Sequence, residues 1–127
     1  MRRALAVCNT LPGPVDRAVC HQNLGIFLER AGQLVEAAAH ELAALLYLLV
    51  MGHGQRLQTW AHPHAVRFRD ARQSGREHTL PRVADLLARP GFAPLRDWLT
   101  ASLVDLEQLQ QAADAFVAQC REAAYVS

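Results

Sequence analysis

The sequence predicts an all-α fold, and three observations carry that prediction. Ala, Leu, Gln and Arg are abundant, and these residues sacrifice little on entering a helix. Apolar residues recur three and four positions apart, most cleanly at Leu106, Leu109, Ala113, Phe116, Val117 and Cys120. No segment alternates apolar and polar residues as a half-buried strand does. With 127 residues the chain is long enough to bury one core without metal or disulfide staples. A single compact domain of five to seven helices over residues 1–127 is therefore expected. It divides into a hairpin at 18–51, an Arg- and His-rich kinked helix and loop at 55–78, and C-terminal helices at 79–127.

Arg2 to Thr10 has the length of a short helix, which Leu11-Pro12-Gly13-Pro14 stops. Pro14 or Val15 opens the next, with Asp16 favourably placed in its first turn, and Gly32 marks its C-terminal stop. A further helix begins at Leu34 and is apolar on every side from Leu42 to Met51, which places it at the centre of the core. That run is well short of the roughly 18 residues needed to span a bilayer. Gly52-His53-Gly54 ends it.

Gln55 to Ala71 reads as helix with a break near His62, because Pro63 removes a backbone donor. Gln73 to His78 is polar, contains glycine and reads as an exposed loop tip. Thr79 is positioned to cap a helix at Arg82–Ala88 with Pro81 in its first turn, and Arg89-Pro90-Gly91 closes it. A helix from Pro94 to Ala101 presents Leu95, Trp98 and Leu99 on one face. Ser102 or Asp105 then caps the long final helix, which reaches about Ala124.

The formal net charge is +1 and the pI about 7.8, so no global field draws the chain to nucleic acid or an anionic membrane. The distribution is uneven, with seven Arg between Arg56 and Arg89 but five acids against Arg121 from Asp97 onward. All 13 basic residues are Arg, which fits GC-rich bacterial coding. Cys8, Cys20 and Cys120 form no CxxC and suggest no disulfide framework or zinc ribbon. Cys8 and Cys120 read as small core residues, and a reducing cytoplasm follows. The apolar run Ala4 to Val7 is too short for a secretory signal and is interrupted by Asn9 and Pro12.

Within residues 18–51, His21, Leu24, Gly25 and Leu28 in the first helix and Ala37 and Ala44 in the second are spaced like the signature of a helix-turn-helix repeat. This hairpin resembles the tetratricopeptide repeat, and NLGIFLERAGQLVEAAAHELAALLYLL is similar to repeats of bacterial multi-repeat members of that family. His21 and Leu28 stand where aromatics are usual, Glu41 where a large apolar residue is usual, and Leu49 where Pro is common. The resemblance implies a protein-binding scaffold. It also implies that Val19, Gln22, Asn23, Ile26, Glu29 and Arg30 on the first helix contact a partner peptide or helix. A lone repeat cannot bury both faces, so the segment after Gly54, a partner or a second copy must supply the remaining packing.

Other chemistry finds little footing. His62 and His64 form an HxH pair, with His53 and His78 as further candidates, yet no HExxH, ExxH or CxxC accompanies them, and residues two apart on a helix diverge. Cys20 beside His21 does not make an activated thiolate, because neighbouring helical side chains also diverge. No catalytic residue, metal or cofactor is therefore expected. A second reading is nucleic-acid binding through the Arg56 to Arg76 basic patch, Arg56, Arg67, Arg69, Arg72 and Arg76, interleaved with Trp60 and Phe68 as stacking groups. The leading expectation is a non-enzymatic cytoplasmic adaptor or assembly subunit, binding a protein or itself.

Overall fold

A computed structural model describes the backbone of residues 2–126 and the side chains of 5–123; Met1 and Ser127, the ends of the expected domain, lie outside the described residues. Among these the chain is all-α, with no strand. Seven α-helices run in order: α1 Arg2–Thr10, α2 Pro14–Arg30, α3 Leu34–Met51, α4 Gly54–Gln73, α5 Val83–Leu87, α6 Ala93–Ala101 and α7 Leu106–Val126. A single 3₁₀ turn, Pro90–Phe92, leads into α6.

The axis of the fold is α3. Every residue from Ala37 to Leu48 is buried, because α2 packs along one side and α4, α5 and α7 close the others. At 18 residues α3 is long and apolar enough to cross a membrane, and two-thirds of it is enclosed here. The main core joins Leu42, Leu45, Leu46 and Tyr47 to Trp60 of α4, Leu86 of α5, Phe92, Leu95 and Leu99 near α6, and Leu109 and Ala113 of α7. A smaller cluster of Cys8, Leu24, Leu28 and Ala37, flanked by Cys20, lies at the junction of α1, α2 and α3.

The α2–α3 hairpin is close-packed at Gly25, where an added Cβ would sit 3.2 Å from the Ala37 carbonyl oxygen. Glycine permits that approach, as the spacing of small residues leads one to expect.

Three segments differ from expectation. Cys8 and Cys20 form a disulfide joining α1 to α2, so Cys8 is more than a small core residue, and the cysteine-based ground for a reducing compartment is removed. The helix α4 is continuous through Pro63. Proline there leaves the Thr59 carbonyl without its intrahelical donor, and the Gln22 side-chain amide of α2 donates to that oxygen at 3.3 Å. Thr79 caps nothing: residues 76–82 have no regular structure and α5 starts at Val83. The Gln110 side chain of α7 accepts the Val83 N–H at 2.7 Å, satisfying a donor that a local cap would otherwise take. Of the two candidate caps for α7 the structure uses Asp105, whose carboxylate accepts the N–H groups of Glu107 and Gln108 at 2.9 and 3.1 Å.

Helices α2, α3, α4 and α6 share one terminator. In each, two backbone N–H groups beyond the last turn reach back to carbonyls of that turn, the Schellman pattern. The left-handed residue is Gly32, Gly52 and Gly75 after the first three, but Leu103, with φ 56°, after α6. A side chain in that conformation costs about 1–2 kcal/mol, and Leu103 recovers nothing by burial, being 93% exposed. Leu103→Gly is therefore expected to raise stability by about 1 kcal/mol, read as a higher urea midpoint at unchanged slope.

Candidate functional site

The interior of the fold contains a charged cluster built around Glu41. This residue follows from α3's register: the helix is surrounded on all sides, so a glutamate in its middle has no solvent to face, and its side chain is 2% exposed. A buried carboxylate must be paired to persist, and two segments, α4 and the loop after it, supply the partners. His64 of α4 donates from Nδ1 to Oε1. His78, in the loop after α4, donates from Nε2 to Oε2 at 3.0 Å. Arg67, one helical turn after His64, donates from Nη2 to Oε1 at 2.9 Å and from Nε to Glu29 at 3.1 Å.

A second layer fixes these groups. The Trp60 indole N–H donates to the Glu41 backbone carbonyl at 3.0 Å, and its ring stacks on His64 with centroids 4.8 Å apart. Arg121 of α7 donates to His64 Nε2 at 3.4 Å and to the His78 carbonyl at 2.6 Å. These contacts assign the tautomer of His64, with the proton on Nδ1 towards Glu41 and the lone pair on Nε2 towards Arg121. Burial pushes the Glu41 carboxyl up, but the histidine hydrogen bonds and the Arg67 charge outweigh it and hold the group well below the usual carboxylate range. Burial lowers His64, with Glu41 opposing. Burial also raises Glu29, against the pull of Arg67.

A second buried pair lies on the other side of α3. His21 and His40 face each other through their Nδ1 atoms at 2.9 Å, and both rings pack against Phe92. Burial, above all, lowers His21 to about 3 and His40 to about 4.

The sequence-predicted metal and nucleic-acid groups are distributed differently. His62 is exposed while His64 is buried, since α4 continues between them and turns them apart; His78, not His62, joins His64. Arg67 is withdrawn from the basic patch into the ion pairs above. Arg69 and Arg72 remain exposed on α4, whereas Arg76 lies beyond the helix end. Trp60 is fully buried, and Phe68 carries the guanidinium of Arg121 at 4.6 Å and that of Arg72 at 5.9 Å, so neither aromatic offers an open face for base stacking.

The six residues assigned to partner contact fall into two groups. Gln22 and Glu29 are engaged with α4, through Thr59 and Arg67, and Val19 and Ile26 are half-buried. Asn23 and Arg30 are exposed, and Phe27 stands between them at four and three residues' spacing, 60% exposed. Phe27 was not among the expected contact residues, although its spacing from Asn23 and Arg30 was available in the sequence. No known family, curated protein or solved structure matches the chain.

Proposed function

We propose that the chain is a non-enzymatic protein-interaction module whose working surface is the outward stripe of α2. The observation that carries this reading is Phe27, the one exposed aromatic among the described residues. Leaving a phenylalanine in water forgoes about 1.5–3 kcal/mol of burial, which a partner recovers by covering it. Val35, 80% exposed at the start of α3, extends the apolar surface around the hairpin turn. Asn23 adds a side-chain amide and Arg30 an unburied guanidinium. This chemistry suits an amphipathic helix or peptide that lays apolar residues on Phe27 and Val35 and brings a carboxylate to Arg30. The tetratricopeptide-like spacing of the hairpin supports the same reading, with the contact surface moved outward from Gln22 and Glu29 to Asn23, Phe27 and Arg30.

Phe27→Asp with Arg30→Glu changes two exposed side chains and is expected to leave the melting temperature within a few degrees of the parent. Crosslinking capture from the native host, with light scattering to detect self-association, is expected to yield a specific complex for the parent that the double variant loses. An identical set of crosslinked partners and identical molar mass for both proteins would remove this surface from consideration.

A further inference from the structure

Three segments remote in sequence deliver ligand-type atoms to one point. The Glu41 carboxylate comes from α3, a ring nitrogen of His64 from α4 and one of His78 from the following loop, and the three ligand atoms lie within 4.8 Å of one another. Two imidazole nitrogens and one carboxylate oxygen form a donor set suited to Zn²⁺ and its first-row neighbours. We propose that Glu41, His64 and His78 form a binding site for one divalent transition-metal ion, Zn²⁺ by donor chemistry, which clamps the 76–82 segment onto α3 and α4.

The surroundings meet what such a site requires. Glu41 and His64 are buried and His78 nearly so, so the protein supplies three positions of a tetrahedral ion and one water the fourth. The Trp60 contacts fix both the Glu41 backbone and the plane of the His64 ring, the orienting role of a metal site's outer shell. Tetrahedral coordination at zinc holds ligand atoms about 3.3 Å from one another, so on binding the widest separation in the cluster closes while the two hydrogen-bonded contacts to Glu41 open. His78 lies in a segment without regular structure and supplies that movement.

Each imidazole now meets Glu41 through the nitrogen that would ligate the ion; an imidazole in the neutral form frees that nitrogen by passing its proton to the ring's other nitrogen, and the vacated lone pair goes to the ion. His64 Nε2 then carries hydrogen, so Arg121 gives up that contact and keeps the His78 carbonyl. Arg67 yields Glu41 Oε1 and keeps Glu29. The two arginines thus oppose the metal, and the ion replaces hydrogen bonds already made, which sets its affinity below that of a site open from the start.

The test titrates metal-stripped protein with Co²⁺ and, by competition with a chromophoric chelator, with Zn²⁺. One equivalent is expected to bind, with the visible absorption of tetrahedral cobalt, and to slow amide exchange across residues 76–82. His78→Asn changes a loop residue and is expected to weaken binding at least about tenfold, whereas His62→Ala, at an exposed histidine outside the cluster, leaves it unchanged. Absence of binding, an octahedral cobalt spectrum, or loss on His62→Ala in place of His78→Asn would each overturn the site. Cobalt absorption and exchange protection in the parent decide the matter even if His78→Asn folds poorly.

Discussion

Glu41→Leu is expected to destabilise the fold by about 3–5 kcal/mol, the cost of removing one partner from a buried ion pair. The substitution puts an apolar side chain in the apolar centre of α3, so hydropathy alone would call it favourable. The opposite is expected because of what it strands. Arg67, with a side chain 10% exposed, keeps only Glu29, while His64 Nδ1 and His78 Nε2 lose the acceptor that oriented them. Each orphaned donor costs about 1–3 kcal/mol, and a domain of this size has only about 5–15 kcal/mol in total. Adding Arg67→Met to Glu41→Leu removes the stranded charge, and replacing a buried pair by apolar groups is often neutral or better. The double variant is therefore expected to regain a large part of the loss. Urea unfolding in the presence of a metal chelator measures both; a single variant as stable as the parent would mean that Glu41 is not held by these donors in solution.

That cluster also marks where sequence reasoning stops. Most of the final helix was legible, because Leu109, Ala113 and Cys120 face the core at the spacing the sequence displays and Asp105 caps it, whereas Leu106, read as part of the same face, is 43% exposed at the helix start. The central helix was legible in part for the same reason: Leu42 to Leu48 is buried as its apolar run indicates, while Leu49 to Met51 is half-buried and burial reaches back to Ala37. Such signals are local, written within one or two helical turns. Glu41, His64 and His78 are separated by 23 and 14 residues, and nothing within any one turn announces that they meet. One signal did exist, since a lone carboxylate inside a stretch apolar enough to be core must find donors. The continuity of α4 through Pro63 was similarly hidden, because Gln22, the residue that satisfies the freed Thr59 carbonyl, lies 37 residues upstream of it. The Cys8–Cys20 bridge depends on how the 11–13 turn folds α1 back onto α2, which composition does not encode.

Acid is expected to unfold the protein through the His21–His40 pair, with stability falling as pH drops from about 6.5 towards 4. Their Nδ1···Nδ1 hydrogen bond needs one ring to donate and the other to accept, so it exists only while at least one ring is neutral. Burial is the largest cause of both lowered values. Beside His21 lie Arg17 and His40, which lower its value further, and the Tyr47 ring; beside His40, Glu36 raises it and Arg89 lowers it. Both histidines thus bind protons less readily folded, at about 3 and about 4, than unfolded, at about 6.5. Between those limits the unfolded chain holds more protons, so stability rises with pH across the window and is complete above it. Each histidine contributes up to about 1.4 kcal/mol per pH unit, which for the pair is on the order of 5 kcal/mol by pH 4 and comparable to the whole stability. Glu41, also held low, adds a loss of the same sign only below its unfolded value, near pH 4.5. His64, lowered by its burial, adds a slope of the same sign from 6.5, so the contribution of the His21–His40 pair is read as the difference between parent and a variant lacking both rings. Replacing both, His21→Leu with His40→Leu, removes donor and acceptor together and is expected to reduce the slope of the stability profile between pH 6.5 and 4.5, leaving the part due to His64 and the steeper fall below it. Urea midpoints measured at half-unit steps of pH give both profiles, and parallel curves for parent and variant above pH 4.5 would show that the pair is not buried neutral.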